Sequence, residues 1–139
     1  MADVHDVRTR SYNMSRIRSQ DTKPEIQVRK FLYANGFRYR LYVNKLPGKP
    51  DIVFRKLMKA VFVHGCFWHG HEGCDYFVVP KTRTSWWLDK INGNKKRDAN
   101  NLALLKQQGW KVMIVFECDL MAARKEKTFK KLQRFMINK

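Results

Sequence analysis

Residues 59–74 carry the stretch that decides the fold, Lys59-Ala60-Val61-Phe62-Val63-His64-Gly65-Cys66-Phe67-Trp68-His69-Gly70-His71-Glu72-Gly73-Cys74. Its first part is almost wholly apolar and rich in β-branched and aromatic residues, which is typical of a strand buried on both faces. From His64 onward it holds two of the three cysteines and three of the four histidines. The stretch therefore predicts a buried strand that leads directly into a loop of potential metal ligands.

The pattern on either side predicts a small sheet covered by helices. Thr22-Lys23-Pro24-Glu25 indicates a helix start, since a capping hydroxyl precedes proline and glutamate, and Asn35-Gly36 indicates its end. Further helices are expected from Thr84 to about Gln108, where Gly93 could mark a break, and from Arg124 to Lys139. Strands are expected over residues 37–43, 51–54, 59–64 and 111–116, and the apolar run of the last predicts a second buried strand. This order predicts a single α/β domain with a small mixed central sheet flanked by helices.

The charge of the chain indicates a polyanionic partner. Lysine and arginine number 29 against 12 acidic residues, which gives a net charge of +17. Nucleic acid is the foremost candidate, with an anionic membrane or a merely solvated surface as alternatives. The aromatic content of 13%, with four tryptophans, favours a folded basic domain over a disordered tail. We expect a flexible basic N-terminal arm over residues 1–21 and a folded domain over residues 22–139.

The cysteines and the N-terminus indicate a cytoplasmic protein. Three cysteines cannot pair completely, and the opening Met1-Ala2-Asp3-Val4-His5-Asp6 is polar and acidic, unlike a secretory signal. No apolar run approaches the roughly 20 residues of a membrane span. A reducing compartment would keep the cysteines available as metal ligands.

Two kinds of metal ligand are present. Cys66, His71, Cys74 and Cys118 could form a closed tetrahedral zinc site, provided that the strand before Cys118 neighbours residues 60–64. The sequence leaves open whether His69 or His71 is the imidazole ligand, and whether Cys118 is only a small buried residue. Asp51, between a Gly/Pro loop and an apolar strand, suggests a second and harder cation, with an Asx-type turn as the alternative.

Aromatic and basic side chains near these ligands suit DNA contact. Phe67, Trp68 and Trp87 could be forced between base pairs at a weak step, although packing in the core is the competing interpretation. Trp86 receives no role. The cations expected to bind phosphates are Lys49, Arg83, Lys95, Lys96 and Arg97, with Lys45 and Lys81 as further candidates, and each could equally be a solvated surface charge.

These segments together resemble the very-short-patch mismatch-repair endonucleases (Vsr) of the restriction-endonuclease-like superfamily. The resemblance rests on Pro50-Asp51 at the start of one strand and on His64-Gly65-Cys66-Phe67-Trp68-His69 at the end of the next. It extends in order over nearly the whole chain, through Met14-Ser15-Arg16-Ile17, Lys81-Thr82-Arg83-Thr84, Arg97-Asp98 and Glu117-Cys118.

The resemblance implies an enzyme that uses Mg²⁺ to nick one strand of duplex DNA 5′ of the thymine in a T:G mismatch, the product of 5-methylcytosine deamination. Asp51 and the backbone carbonyl of Val63 would bind the Mg²⁺, and His69 would be the general base on the attacking water. Glu25 and His64 would hold waters around the ion, and Asp98 would support the site.

The resemblance also implies the remaining roles. Structural Zn²⁺ would be bound by Cys66, His71, Cys74 and Cys118, while Phe67, Trp68 and Trp87 would wedge beside the mismatch. The protein would be a nucleoid-associated bacterial enzyme that works with MutL and with the sites of a cytosine-5 DNA methyltransferase. We expect a monomer, since a single-strand nick needs only one active site. The alternatives are a non-catalytic zinc-stabilised DNA-binding module, a nuclease acting on unmodified DNA or on RNA, and a hydrolase with catalytic zinc.

Overall fold

The computed structural model describes residues 22–71, 74 and 77–138, and its centre is a four-stranded mixed sheet. The helices are α1 (Lys23–Ala34), α2 (Thr84–Gln107) and α3 (Ala122–Ile137), and the strands are β1 (Arg40–Leu41), β2 (Ile52–Phe54), β3 (Lys59–His64) and β4 (Lys111–Phe116). This is the α/β class that the sequence predicts. The N-terminal arm predicted over residues 1–21 lies outside the described residues.

The strand order brings the ends of β3 and β4 together. The sheet runs β1-β2-β3-β4, antiparallel between the first three strands and parallel between β3 and β4. A parallel pair requires a long crossover, and α2 lies in that connection. The register pairs His64 with Phe116. The residues that follow the two strands, Gly65-Cys66 and Glu117-Cys118, therefore start from the same edge of the sheet.

Two apolar cores cover the two faces of the sheet, as the predicted burial of β3 requires. All six residues of β3 are buried. Val61 and Val63 join the core that includes Leu32 of α1 and Leu132 of α3. Ala60 and Phe62 point to the opposite core, which includes Leu105 of α2. Successive side chains of β3 thus pack alternately into the two cores, each of which is covered by helices.

The ends of α1 and α3 are fixed by specific contacts. The Thr22 hydroxyl accepts the Glu25 N–H at 3.4 Å, which caps α1 as predicted. Lys59 is only 3% exposed, and its Nζ donates to the carbonyl of Met136 at 2.8 Å and to that of Asn138. A buried ammonium group is satisfied in this way by the carbonyls at the end of α3.

Three local predictions were wrong in part. The strand expected over residues 37–43 is only Arg40–Leu41, and it ends there because Tyr42 has a φ of 52° and so leaves the extended region. Gly93 does not break α2: glycine lowers helix propensity but keeps its N–H, unlike proline. β4 lies at the sheet edge, so that Val115 alone among its residues is fully buried.

Among the described residues, none of the helices has the length and apolarity needed to cross a bilayer.

Candidate active site

A cleft of about 630 Å³ opens between the start of α1, the ends of the central strands and one face of α2. The structure brings all five predicted catalytic side chains to its lining, together with the predicted main-chain ligand and two of the three predicted wedge residues. These residues are Glu25, Asp51, Val63, His64, Phe67, Trp68, His69 and Asp98. Residues spread over more than 70 positions of sequence therefore share one cavity.

Asp51 is held at the end of the sheet by a main-chain contact. Its Oδ2 accepts the Val63 N–H at 2.7 Å, at the end of the sheet where the backbone pairing of β2 with β3 stops at Ile52 and Val61. Burial, opposed by the Val63 hydrogen bond and assisted by the charge of Glu25, raises the pKa of Asp51 to about 7. Two partly or fully buried carboxyl groups within each other's field are unfavourable unless a cation joins them. The donor set of hard oxygens therefore fits a cation such as Mg²⁺.

The Glu25 carboxylate is held in place by the Tyr42 hydroxyl. It is 3% exposed, and its Oε2 accepts the Tyr42 hydroxyl at 2.7 Å. Arg29, one helical turn along α1, reaches the same oxygen at 3.9 Å and the Tyr42 hydroxyl at 3.4 Å. The left-handed conformation of Tyr42 directs its ring to this position. Tyr42 thus orients a carboxylate that the sequence places in the site.

Removing the Tyr42 hydroxyl is expected to destabilise the protein. Tyr42→Phe leaves one lone pair of a buried carboxylate without its donor, so we expect a loss of about 1–2 kcal/mol in the free energy of unfolding, measured by urea denaturation. Tyr39→Phe is the matched control, because it also removes one tyrosine hydroxyl, from a ring that packs edge-on against Phe54 in the core between the sheet, α1 and α3. Equal losses in the two variants would show that the Glu25 contact contributes nothing.

Two histidines and an aspartate form the opposite wall of the cleft. The His64 and His69 rings stack with centroids 3.6 Å apart and planes 5° apart. Burial, and then the neighbouring His69, lower the pKa of His64 to about 3, so that His64 is neutral at neutral pH. Asp98 Oδ2 lies 2.6 Å from His69 Nδ1. With the proton on Nδ1, the lone pair of His69 Nε2 is available to accept a proton.

The second cluster has the composition of a structural metal site. One ligand atom from each of Cys66, His71, Cys74 and Cys118 lies within 4.8 Å of the other three. His71 Nδ1 is 3.3 Å from Cys118 Sγ, close to the roughly 3.6 Å between N and S ligands of tetrahedral zinc. Burial raises the pKa of the Cys66 and Cys118 thiols in the metal-free protein. His69 belongs to the other cluster, with His64 and Asp98.

Local packing separates the two histidines. Gly70, with a φ of +61°, packs against α2, where a Cβ would come 2.6 Å from the Lys95 Cδ. On one side of this tight turn His69 faces Asp98, and on the other the His71 ring stacks on Phe116 at 3.8 Å. Glu117 Oε1 accepts the Cys66 N–H at 3.0 Å, which joins the loop to the end of β4.

The three predicted wedge residues form one aromatic cluster. Phe67 and Trp68 are half-buried at the cleft, and Trp87, 7% exposed, contacts them at centroid distances of 5.5 and 5.8 Å. Asn94 Nδ2 donates to the Trp68 carbonyl at 2.9 Å. Trp87 therefore supports the other two rings from beneath as well as being a candidate for DNA contact.

The predicted phosphate-binding cations divide by environment. Lys49, Arg83, Lys96 and Arg97 are exposed, whereas Lys95 is half-buried against Gly70. Arg97 bonds back to α2, at the Asn94 side chain and the Gly93 carbonyl. Lys49 lines the cleft itself.

Sequence reasoning missed three residues of the site. Tyr42, Asn101 and Glu117 line or support the cleft. Glu117 was detectable, because a carboxylate directly after an apolar strand stands at the sheet edge where β3 also ends. Asn101 follows Asp98 by three positions on α2 and so lies on the same face.

Known proteins with similar sequences agree on one family. The family model described as DNA mismatch endonuclease Vsr matches residues 2–75. The DNA mismatch endonuclease Vsr of Escherichia coli K12 is 45% identical over 125 residues, which are 90% of this chain and 80% of that protein. The type II nicking enzyme V.NmeAIP of Neisseria meningitidis is 48% identical over 120 residues, 86% of this chain and 85% of the relative. The type II nicking enzyme V.XorIIP of Xanthomonas oryzae is 45% identical over 120 residues, which are 86% of this chain and 88% of that protein.

These matches cover most of both partners in each comparison. They include residues 50–69, where the cleft and the metal cluster meet, within the range of the family model. The chain therefore belongs to the Vsr family of DNA mismatch endonucleases.

Proposed function

We propose that the protein nicks one strand of duplex DNA 5′ of the thymine in a T:G mismatch and so starts very short patch repair. The observation that carries this proposal is the shared cleft, which places two carboxylates and an oriented histidine beside an aromatic cluster. Carboxylates and an imidazole serve phosphodiester hydrolysis, while aromatic rings serve the opening of a weak base step.

The chain supplies the proton transfer and the positioning. Asp98 holds His69 Nδ1, which leaves the lone pair of Nε2 to act as the base that removes a proton from the attacking water. His64, neutral and stacked on His69, fixes the plane of that ring. Glu25, oriented by Tyr42, orders water in the cleft.

The proposed cofactors are Mg²⁺ in the cleft and Zn²⁺ in the cysteine cluster. Asp51 and the Val63 carbonyl would bind the Mg²⁺, which would offset the negative charge that develops on the phosphate. Cys66, His71, Cys74 and Cys118 would bind the Zn²⁺, whose role is to attach the loop after β3 to the end of β4.

The lesion would be selected by its low unstacking cost. Phe67 and Trp68, supported by Trp87, are proposed to wedge beside the mismatched pair, where stacking is weaker than in a matched duplex. The exposed cations Lys49, Arg83, Lys96 and Arg97, with Lys95, would bind phosphates and add affinity without sequence information.

The proposed setting is the bacterial cytoplasm, at the nucleoid. A monomer suffices, since one cleft cuts one strand. MutL and the sites of a cytosine-5 DNA methyltransferase remain the proposed repair partners. The basic arm over residues 1–21 is proposed to close over bound DNA, and residues 22–139 to form the catalytic domain.

An end-labelled duplex assay tests this function. The protein should cut the thymine strand of a T:G duplex with added Mg²⁺, and leave the matched T:A duplex intact. His69→Gln should lower the nicking rate by about 10²-fold, because it removes the general base and leaves the metal ligands in place. Equal cutting of matched and mismatched DNA would favour a nuclease for unmodified DNA. Tight binding without cutting in any sequence context would favour a non-catalytic binding module.

A further inference from the structure

Beside the cleft, the start of α2 carries an exposed aromatic side chain that the proposed wedge does not use. Trp86 exposes 45% of its surface. Its ring meets the Trp87 ring edge-on with centroids 4.7 Å apart, and Trp87 in turn contacts Phe67 and Trp68. Aromatic contact therefore continues without interruption from the wall of the cleft to the surface of the protein.

Two cations flank the exposed indole. The guanidinium carbon of Arg83 lies 4.9 Å from the centre of the Trp86 ring, and the Lys90 Nζ lies 5.8 Å from it. Both side chains are exposed, so neither is committed to the protein interior. Their attraction to the ring holds both charges beside it. An exposed aromatic face between two cations is the combination by which proteins hold a nucleic acid strand.

We propose that Arg83, Trp86 and Lys90, called here the outer patch, bind the DNA backbone immediately beside the wedge. The indole packs against a deoxyribose, and the two cations neutralise the adjoining phosphates. This assignment rests on the proposed function, because the wedge fixes where the duplex lies. A contact to the backbone reads no base, so the outer patch adds affinity for matched and mismatched duplexes alike.

The proposal predicts a distinct binding signature. In fluorescence anisotropy with labelled T:G and T:A duplexes and no added divalent cation, Trp86→Leu should weaken binding of both duplexes by about 5- to 10-fold. Trp86→Phe should weaken it less, since a ring remains. Arg83→Gln and Lys90→Gln should each lower the slope of log Kd against log salt by about 1. Trp86→Leu should leave that slope unchanged, because the indole is uncharged.

The chain offers a matched control at another site. Tyr33 is 55% exposed, and the guanidinium carbon of Arg38 lies 3.8 Å from the centre of its ring. It sits near the end of α1, roughly 12 Å along the helix axis from Glu25 and the cleft. Tyr33→Leu thus removes an exposed aromatic beside a cation, and it should leave the affinity for both duplexes unchanged.

Two outcomes would overturn the outer patch. One is an affinity of Trp86→Leu for both duplexes equal to that of Tyr33→Leu, which would show that the outer patch does not contact DNA. The other is loss of the T:G preference alone, which would make Trp86 part of the wedge. Arg83→Gln and Lys90→Gln are surface changes that test the patch even if Trp86→Leu does not fold. The wild-type protein could also nick no duplex while the patch variants still bind DNA more weakly than it does. That result would overturn the proposed function and would support the outer patch as a DNA contact.

Discussion

Replacing Asp51 with asparagine is expected to lower the rate of strand nicking by at least about 10³-fold, the largest loss of activity expected from a single change. Asparagine keeps the shape of the side chain, and its carbonyl oxygen can still accept the Val63 N–H. It removes the negative charge that would hold the Mg²⁺. Single-turnover nicking of the T:G duplex measures the effect. A rate within tenfold of wild type would exclude Asp51 as a metal ligand.

The same substitution is expected to stabilise the protein when no divalent cation is added. Because burial raises the pKa of Asp51 from 3.8 to about 7, the folded state disfavours the charged carboxylate. The native protein therefore loses stability as pH rises through this range, and the loss is complete above pH 7. Asp51→Asn avoids it, and should gain about 1–2 kcal/mol at about pH 8 and less at about pH 5.5. A gain in stability beside a loss of activity would mark Asp51 as selected for function.

Replacing His71 with asparagine is expected to remove the structural metal and lower the melting temperature by more than about 10 °C. Four ligands close a structural site, and three leave the cysteine thiolates facing one another in a partly buried position. Metal content after gel filtration and thermal unfolding measure the two effects. We expect a large shift because the ion would attach two segments that start from neighbouring strands.

His69→Asn is the matched control for that experiment. The two histidines are separated by one residue, and their side chains belong to different clusters. The His69 variant should keep its metal and most of its melting temperature while it loses nicking activity. If the His69 variant lost its metal and His71→Asn retained it, His69 would be the metal ligand and His71 would not.

The sequence predicts the fold where the periodicity is strong. The bounds of β3 agree at both ends, because six consecutive buried residues leave little ambiguity. The end of α1 agrees as well, since Asn35-Gly36 is a clear stop. β1 was overestimated because alternation over residues 37–43 resembles a strand, although the backbone turns at Tyr42. A left-handed non-glycine residue has no reliable sequence signal.

The site was predictable to the extent that it lies beside recognisable strands. Asp51, His64 and Cys66 each adjoin an apolar run, so their place at the sheet edge followed from the pattern. The choice between His69 and His71 did not follow, because both lie in one loop and only its turn at Gly70 separates them. Tyr42 could not be found, since its contact with Glu25 spans 17 positions and depends on that same irregular backbone.

The length and continuity of α2 have a mechanical consequence. Its inward face carries Trp87, Ile91, Asn94, Asp98 and Asn101, at spacings of three and four residues. About 16 Å of unbroken helix separates Trp87, which supports the proposed wedge, from Asp98, which contacts the proposed general base. An α-helix behaves as a stiff rod over this length. Under the proposed function, a tilt imposed at Trp87 by inserted base pairs would therefore move Asp98 as well, so that recognition of the lesion would be coupled to the alignment of His69.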